Sequence, residues 1–237
     1  MDSGTEIIKT GNTIRIMEKV LLINLKTYEQ GTGDKALEIA KIADNLAKNT
    51  DVEIILAVQP ADLKSVSGSV DIKTFSQHVD PVNYGSKTGW ILPESVKQAG
   101  AKGTLLNHSE RRIDLQTLEK SISRCRKLGL TTVVCADTPE TAQKIAGLKP
   151  DFIAVEPPEL IGGDISVSKA KPEVITESIE KVNSVNPVPV LVGAGVKDRE
   201  DVKKGMELGA KGILVASGVV KAGNPEEAIK DLLEGFG

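Results

Sequence analysis

Eight short apolar runs, spaced along the chain and separated by helical stretches, constrain this sequence more than any other feature. They are Val20–Asn24, Val52–Val58, Asp71–Gln77, Gly103–Asn107, Thr131–Ala136, Phe152–Glu156, Val188–Val192 and Gly212–Val215. Each is rich in Val, Ile and Leu, and none alternates cleanly between apolar and polar residues. That pattern predicts strands buried on both faces, as in a parallel sheet covered by helices. The stretches between them are amphipathic. Asp34–Lys48 places Leu37, Ile39, Ala40, Ala43 and Leu46 on one side and Lys41, Asp44 and Lys48 on the other. Thr117–Leu128, Pro139–Leu148, Pro172–Ser184, Arg199–Leu208 and Pro225–Leu233 read the same way. Pro93, Pro139, Pro172 and Pro225 stand where a helix begins, and Gly129 and Gly209 stand where one stops.

Strands alternating with helices imply parallel pairing through right-handed crossovers. Closure into an eight-stranded barrel leaves no unpaired edge, which makes a single-domain α/β barrel the expected architecture. An open doubly wound sheet is the competitor, but no glycine-rich fingerprint follows the first strand. Aromatic residues are 3% of the 237, so the core has to be built from Val, Ile, Leu and Ala. Residues 1–16 precede the first strand of this pattern and read as an N-terminal extension, with the barrel expected over 17–237.

Charge is nearly balanced, at 30 basic and 33 acidic residues, which offers no general attraction for nucleic acid or membrane. No apolar run reaches the ~18 residues of a membrane span. The two cysteines, Cys125 and Cys135, form no CxxC pair, and both read as core or helix-face residues of a protein in a reducing cytoplasm.

In a barrel of this kind the chemistry sits at the C-terminal ends of the strands. The first strand ends in Asn24-Leu25-Lys26, and alternation points Asn24 and Lys26 the same way, which puts a cation at the mouth. The fourth ends in Asn107-His108-Ser109-Glu110-Arg111-Arg112. A neutral imidazole there can donate a hydrogen bond to a carbonyl and return the proton later, while the two arginines suit pairing with loop carboxylates. The sixth ends in Glu156-Pro157, where the proline holds Glu156 extended at the rim as a candidate base. Glu159-Leu160-Ile161-Gly162-Gly163 after it has the composition of a closing loop, which would exclude water. The seventh and eighth strands run into Gly193-Ala194-Gly195 and Ala216-Ser217-Gly218, small-residue turns whose backbone N–H groups suit a phosphate. Each feature also has an ordinary reading, as an exposed lysine, a structural histidine, a surface glutamate or a tight turn. Tyr84 and Trp90 lie in a long loop after the third strand, as an interface arm or a self-packed loop.

Together, "NLK" at Asn24–Lys26, "NHSERR" at Asn107–Arg112, "VEPPELIGG" at Val155–Gly163, "VGAGV" and "LVASGVV" resemble the triosephosphate isomerase family, in order from about residue 19 onward. The short length and the "EPPELIGG" and "GAG" variants are similar to its archaeal branch. The resemblance implies a TIM barrel that interconverts glyceraldehyde 3-phosphate and dihydroxyacetone phosphate through an enediolate, in glycolysis and gluconeogenesis. It implies Glu156 as the base, His108 as the electrophile and Lys26 as the counter-charge for the enediolate, with Glu110 supporting them. Asn24, Leu25, Lys26, Ile161, Gly162, Gly195, Ala216 and Ser217 would bind substrate. It implies no cofactor and no metal, and a homodimer or homotetramer. The residues 1–16 have no counterpart in the family. The loop after the seventh strand has no serine between its glycines, so its phosphate contact would be backbone alone. The rivals are another phosphate-binding barrel enzyme, such as a sugar-phosphate epimerase, and a non-catalytic phosphate-binding barrel. Neither explains Lys26, His108 and Glu156 together.

Overall fold

A computed structural model describes residues 7–10, 13–16, 19–157 and 167–237. Two antiparallel strands, β1 (Ile7–Thr10) and β2 (Thr13–Ile16), pair with one another in a sheet of their own. They fall within residues 1–16, the segment read from the sequence as an N-terminal extension.

The remaining strands close into a parallel barrel. They are β3 (Val20–Asn24), β4 (Glu53–Val58), β5 (Lys73–Ser76), β6 (Gly103–Leu106), β7 (Thr131–Ala136), β8 (Phe152–Val155), β9 (Val190–Val192) and β10 (Gly212–Val215). Neighbours in sequence are neighbours in the barrel, and β10 closes onto β3 with Gly212 opposite Val20. The longer helices are α1 (Asp34–Ala47), α4 (Leu115–Leu128), α5 (Pro139–Ala146), α7 (Pro172–Asn183), α8 (Arg199–Glu207) and α10 (Pro225–Glu234). Short helices α2 (Leu63–Ser67), α3 (Pro93–Gln98), α6 (Val167–Ala170) and α9 (Ser217–Val220) complete the series. Among the described residues, no helix is long and apolar enough to cross a membrane.

Helix ends follow their local chemistry. Asp114, Thr138, Asp198 and Asn224 accept hydrogen bonds from the free N–H groups of α4, α5, α8 and α10. Two strands start two residues later than the apolar pattern suggests. The N–H groups of Asp71 and Ile72 bond to the Asp44 carboxylate at 2.7 and 3.0 Å instead of to a strand, so β5 starts at Lys73. Pro189 has no N–H to give a ladder, so β9 starts at Val190.

Strand alternation sorts the core into two layers. Val20, Leu22, Ile55, Ala57, Phe75, Leu105, Val133, Cys135, Ala154, Leu191 and Leu214 fill the barrel interior. Leu21, Ile23, Leu25, Ile54, Leu56, Val134, Ile153 and Val155 face the helices. Gly103 lets Phe75 cross the interior, because a Cβ there would come within 2.6 Å of the Phe75 ring. The same parity carries Asn24 and Glu156 inward, one step above Leu22 and Ala154, at the open end.

Candidate active site

Asn24 closes β3 and is buried. Its Oδ1 accepts the Lys26 N–H at 3.0 Å, which turns the chain, and Lys26 takes a left-handed φ of 51°. A left-handed residue with a Cβ costs about 1–2 kcal/mol. The Gln77 side chain offsets part of this by donating to the Lys26 carbonyl at 2.8 Å. So Lys26 does not reach the cavity by strand alternation, as its spacing from Asn24 suggests; a strained turn delivers it there. Its Nζ lies 2.8 Å from Oε1 of Glu110.

At the end of β6, Asn107 makes a second left-handed turn, with φ 57°. Asparagine tolerates this better than most residues. Its amide donates to the Cys135 carbonyl at 3.0 Å and its Oδ1 accepts the Ile113 N–H at 3.1 Å. The turn swings His108 over the barrel mouth, where it is buried. The Glu110 N–H donates to Nδ1 of His108 at 3.2 Å. An N–H can donate only to an unprotonated ring nitrogen, so the ring proton sits on Nε2, the atom facing the cavity. The arginines that follow act as scaffold. Arg111 pairs with Asp80 at 3.4 Å and Arg112 with Asp137 at 3.4 Å.

Glu156 follows β8 and is only 6% exposed. Its backbone N–H donates to the Ala136 carbonyl at 2.8 Å. Its Oε2 is buried without a hydrogen-bond partner among the described residues and lies 3.7 Å from Nε2 of His108. A buried carboxylate oxygen with nothing to accept from is costly in a resting protein and is a mark of a functional site. Gly193 makes room for it, since a Cβ there would lie 3.0 Å from Glu156 Cγ and 3.2 Å from Oε1.

One cavity gathers Asn24, Lys26, His108, Glu156, Gly195, Ala216 and Ser217. Ala194 and Gly195 both have positive φ, 94° and 72°, which folds their loop back on itself. Glu110 stands behind it, touching both Lys26 and His108. Leu25 is not brought in: its side chain is fully buried in the helix-facing layer. Ile161, Gly162 and the loop read as a lid lie outside the described residues.

Reading strand ends from the sequence missed Gln77 and Asp80. Gln77 carries the same signal as the others, a polar residue closing an apolar run. Asp80 has no such signal, because only the fold shows that its carboxylate takes His78 Nε2 at 3.2 Å, the Arg111 guanidinium and the Ile91 N–H at 2.7 Å. Burial, then the charge of Arg111, hold the His78 pKa below its usual value against the opposing pull of Asp80. Cys135 lies in the barrel interior beneath Glu156. Burial and the neighbouring Glu156 charge push its thiol well above the ordinary range.

A carboxylate with one oxygen left unpartnered, an imidazole N–H and an ammonium around one small cavity suit proton abstraction beside a carbonyl. The family model for triosephosphate isomerase matches residues 19–232. The chain is 49% identical to the triosephosphate isomerase of Methanocaldococcus jannaschii over 216 residues, covering 91% of this chain and 99% of that protein. It is 49% identical to the one from Archaeoglobus fulgidus over 215 residues, 90% of this chain and 96% of the relative. It is 45% identical to that of Methanosarcina mazei over 214 residues, again 90% and 96%.

Proposed function

The chain belongs to the triosephosphate isomerase family, and we propose that Glu156, His108 and Lys26 carry its interconversion of glyceraldehyde 3-phosphate and dihydroxyacetone phosphate. Glu156 takes a proton from the carbon beside the carbonyl. The C–H electron pair moves into the new C=C bond and the carbonyl π pair moves onto oxygen, giving the enediolate. Nε2–H of His108 donates to that oxygen, passes its proton to it and recovers one from the neighbouring hydroxyl. Glu156 then returns its proton to the adjacent carbon, so nothing is consumed. Lys26 balances the oxyanion charge, and Glu110 aligns both Lys26 and the imidazole. A positioned base contributes roughly 10²–10⁴ in rate, and a preorganised oxyanion donor about 10²–10³.

The observation that carries this reading is the buried Oε2 of Glu156, which has no hydrogen-bond partner among the described residues and lies 3.7 Å from an imidazole N–H donor. A non-catalytic phosphate-binding barrel would have no use for an unsatisfied base at its mouth. Asn24 and the backbone of Gly195, Ala216 and Ser217 hold the substrate, with the phosphate at the last three. Ile161 and Gly162 are proposed to join them on family resemblance alone.

The protein acts in the cytoplasm as a homodimer or homotetramer, with residues 1–16 as an extension to a barrel over 17–237. The exposed Tyr84 (68%) and Trp90 (54%), both on one loop, supply apolar surface for assembly. A coupled assay that reduces dihydroxyacetone phosphate with NADH tests the reaction. Conversion of glyceraldehyde 3-phosphate no faster than with Glu156→Gln would refute it. Light scattering on the purified protein tests the assembly, and a monomeric mass would remove it.

A further inference from the structure

We propose that Arg112 is a positioning residue of this site, clamping the carbonyl of the left-handed Asn107 so that His108 is aimed at the substrate; the proposal rests on the isomerase reading above. Among the described residues, four that carry a side chain have a positive φ, Lys26, Asn107, Lys149 and Ala194. In three of them a side chain from another part of the chain donates to the strained residue's own carbonyl. Gln77 holds Lys26 at 2.8 Å, Arg126 holds Lys149 at 2.7 Å, and Nη1 of Arg112 holds Asn107 at 3.0 Å. Lys149 lies between α5 and β8, at the end of the barrel away from the site. The clamp is therefore how this fold secures an unfavourable backbone conformation, wherever that occurs.

What sets Arg112 apart is the peptide it grips. The Asn107 carbonyl shares a rigid plane with the His108 N–H, so its direction fixes where the imidazole leaves the backbone. The same Nη1 lies 3.5 Å from the Cys135 carbonyl, and Nη2 lies 3.4 Å from Oδ2 of Asp137, just past β7. Arg112 thus ties the end of β6 to the end of β7. The turn beyond is closed on itself: the Arg111 N–H donates to the His108 carbonyl at 2.8 Å and the Glu110 N–H to Nδ1 at 3.2 Å. A rotation at Asn107 would carry that turn, and the ring with it, away from Glu156. Arg112 is not among the residues lining the cavity, so it acts through this peptide alone. Its side chain and that of Asp137 are 32% and 35% exposed, and such open pairs add little to stability. Its bond to the carbonyl is charge-assisted, the stronger kind, and falls where the backbone is strained.

The test is a double-mutant cycle of Arg112→Met with Asn107→Gly in the full chain. Glycine adopts a left-handed φ without steric cost, so it removes the need for the clamp. It also deletes the Asn107 side-chain bonds to the Cys135 carbonyl and the Ile113 N–H, so it lowers Tm. Arg112→Met alone is expected to lower kcat about tenfold, since a shift of ~1 Å can cost about 10²-fold, and to leave KM near wild type. In the Asn107→Gly background the same change should lower kcat by no more than about threefold, a coupling in the range of touching residues. A purely structural role predicts the reverse, with kcat and Tm lowest in the double variant. Arg112→Lys keeps a cation without the fixed fork and is expected to fall between; it carries the same cycle where Arg112→Met does not fold. The chain has two histidines, so ring-nitrogen NMR in a His78→Asn background reports His108 alone. Wild type should show one tautomer, with the proton on Nε2, and Arg112→Met a mixture. An unchanged kcat in Arg112→Met overturns the proposal, and so does an equal loss in both backgrounds. If the wild type isomerises nothing, the reaction reading falls and the His108 spectrum decides: moved by Arg112→Met it supports the clamp, and unmoved it removes it.

Discussion

Gly193→Ala tests how closely the catalytic carboxylate depends on the absence of one side chain. A methyl group there would sit 3.0 Å from Glu156 Cγ, 3.2 Å from Glu156 Oε1 and 3.0 Å from the Leu214 carbonyl oxygen. Ordinary carbon contacts lie near 3.5–4.0 Å, so something has to move by about half an ångström. The Leu214 carbonyl belongs to β10, which is hydrogen-bonded in the barrel wall. The Glu156 side chain has an unpartnered oxygen and a rotatable stem, so it is the part that yields. A misplacement of about 1 Å can cost ~10²-fold in rate, and half that shift predicts a kcat lowered by roughly tenfold or more. KM should change little, because the displaced group is not a phosphate contact. Overpacking costs about 1–3 kcal/mol, which for a chain of this size lowers Tm by roughly 2–12 °C. The coupled isomerase assay gives kcat and KM, and a thermal melt gives Tm. If kcat stays at the wild-type level while the melt shows the protein folded, the Glu156 placement described here is wrong.

Glu156→Gln should slow turnover by orders of magnitude and leave Tm equal to or above wild type, because it replaces a buried carboxylate, one of whose oxygens has no partner among the described residues, with a neutral amide of the same shape; a large drop in Tm would mean the carboxylate is structural. Burial pushes the Cys125 thiol up to about 12 and Cys135 well above its usual range. Both should therefore resist a thiol reagent in the native protein at pH 8 and react on unfolding, and rapid labelling of the native protein would contradict the burial. His78 has a pKa below its unfolded value, so the unfolded chain binds a proton that the folded chain refuses. Its contribution is complete above about pH 6.5 and is lost as pH falls below that. Denaturant titrations from pH 7.5 down to 5 should show wild type losing stability faster than His78→Asn; parallel curves would remove His78 as the cause.

The barrel was legible in the sequence because parallel strands buried on both faces leave a plain mark: short continuous runs of Val, Ile and Leu, each set off by an amphipathic helix. The residues closing those runs, Lys26, His108 and Glu156, stood out for the same reason, since a polar group at the end of a buried strand has to emerge at the rim. One misjudged strand edge was decided by a nonlocal partner, when Asp44 captured the N–H groups of Asp71 and Ile72. Only the tertiary structure decided the distances that make chemistry. The left-handed turns at Lys26 and Asn107, the Glu110 bridge and the space left by Gly193 are interactions between loops brought together by closure of the barrel. Asp80 shows why sequence alone could not find them. Its role is to hold His78, Arg111 and Ile91 at once, and that requirement exists only after the chain has closed on itself.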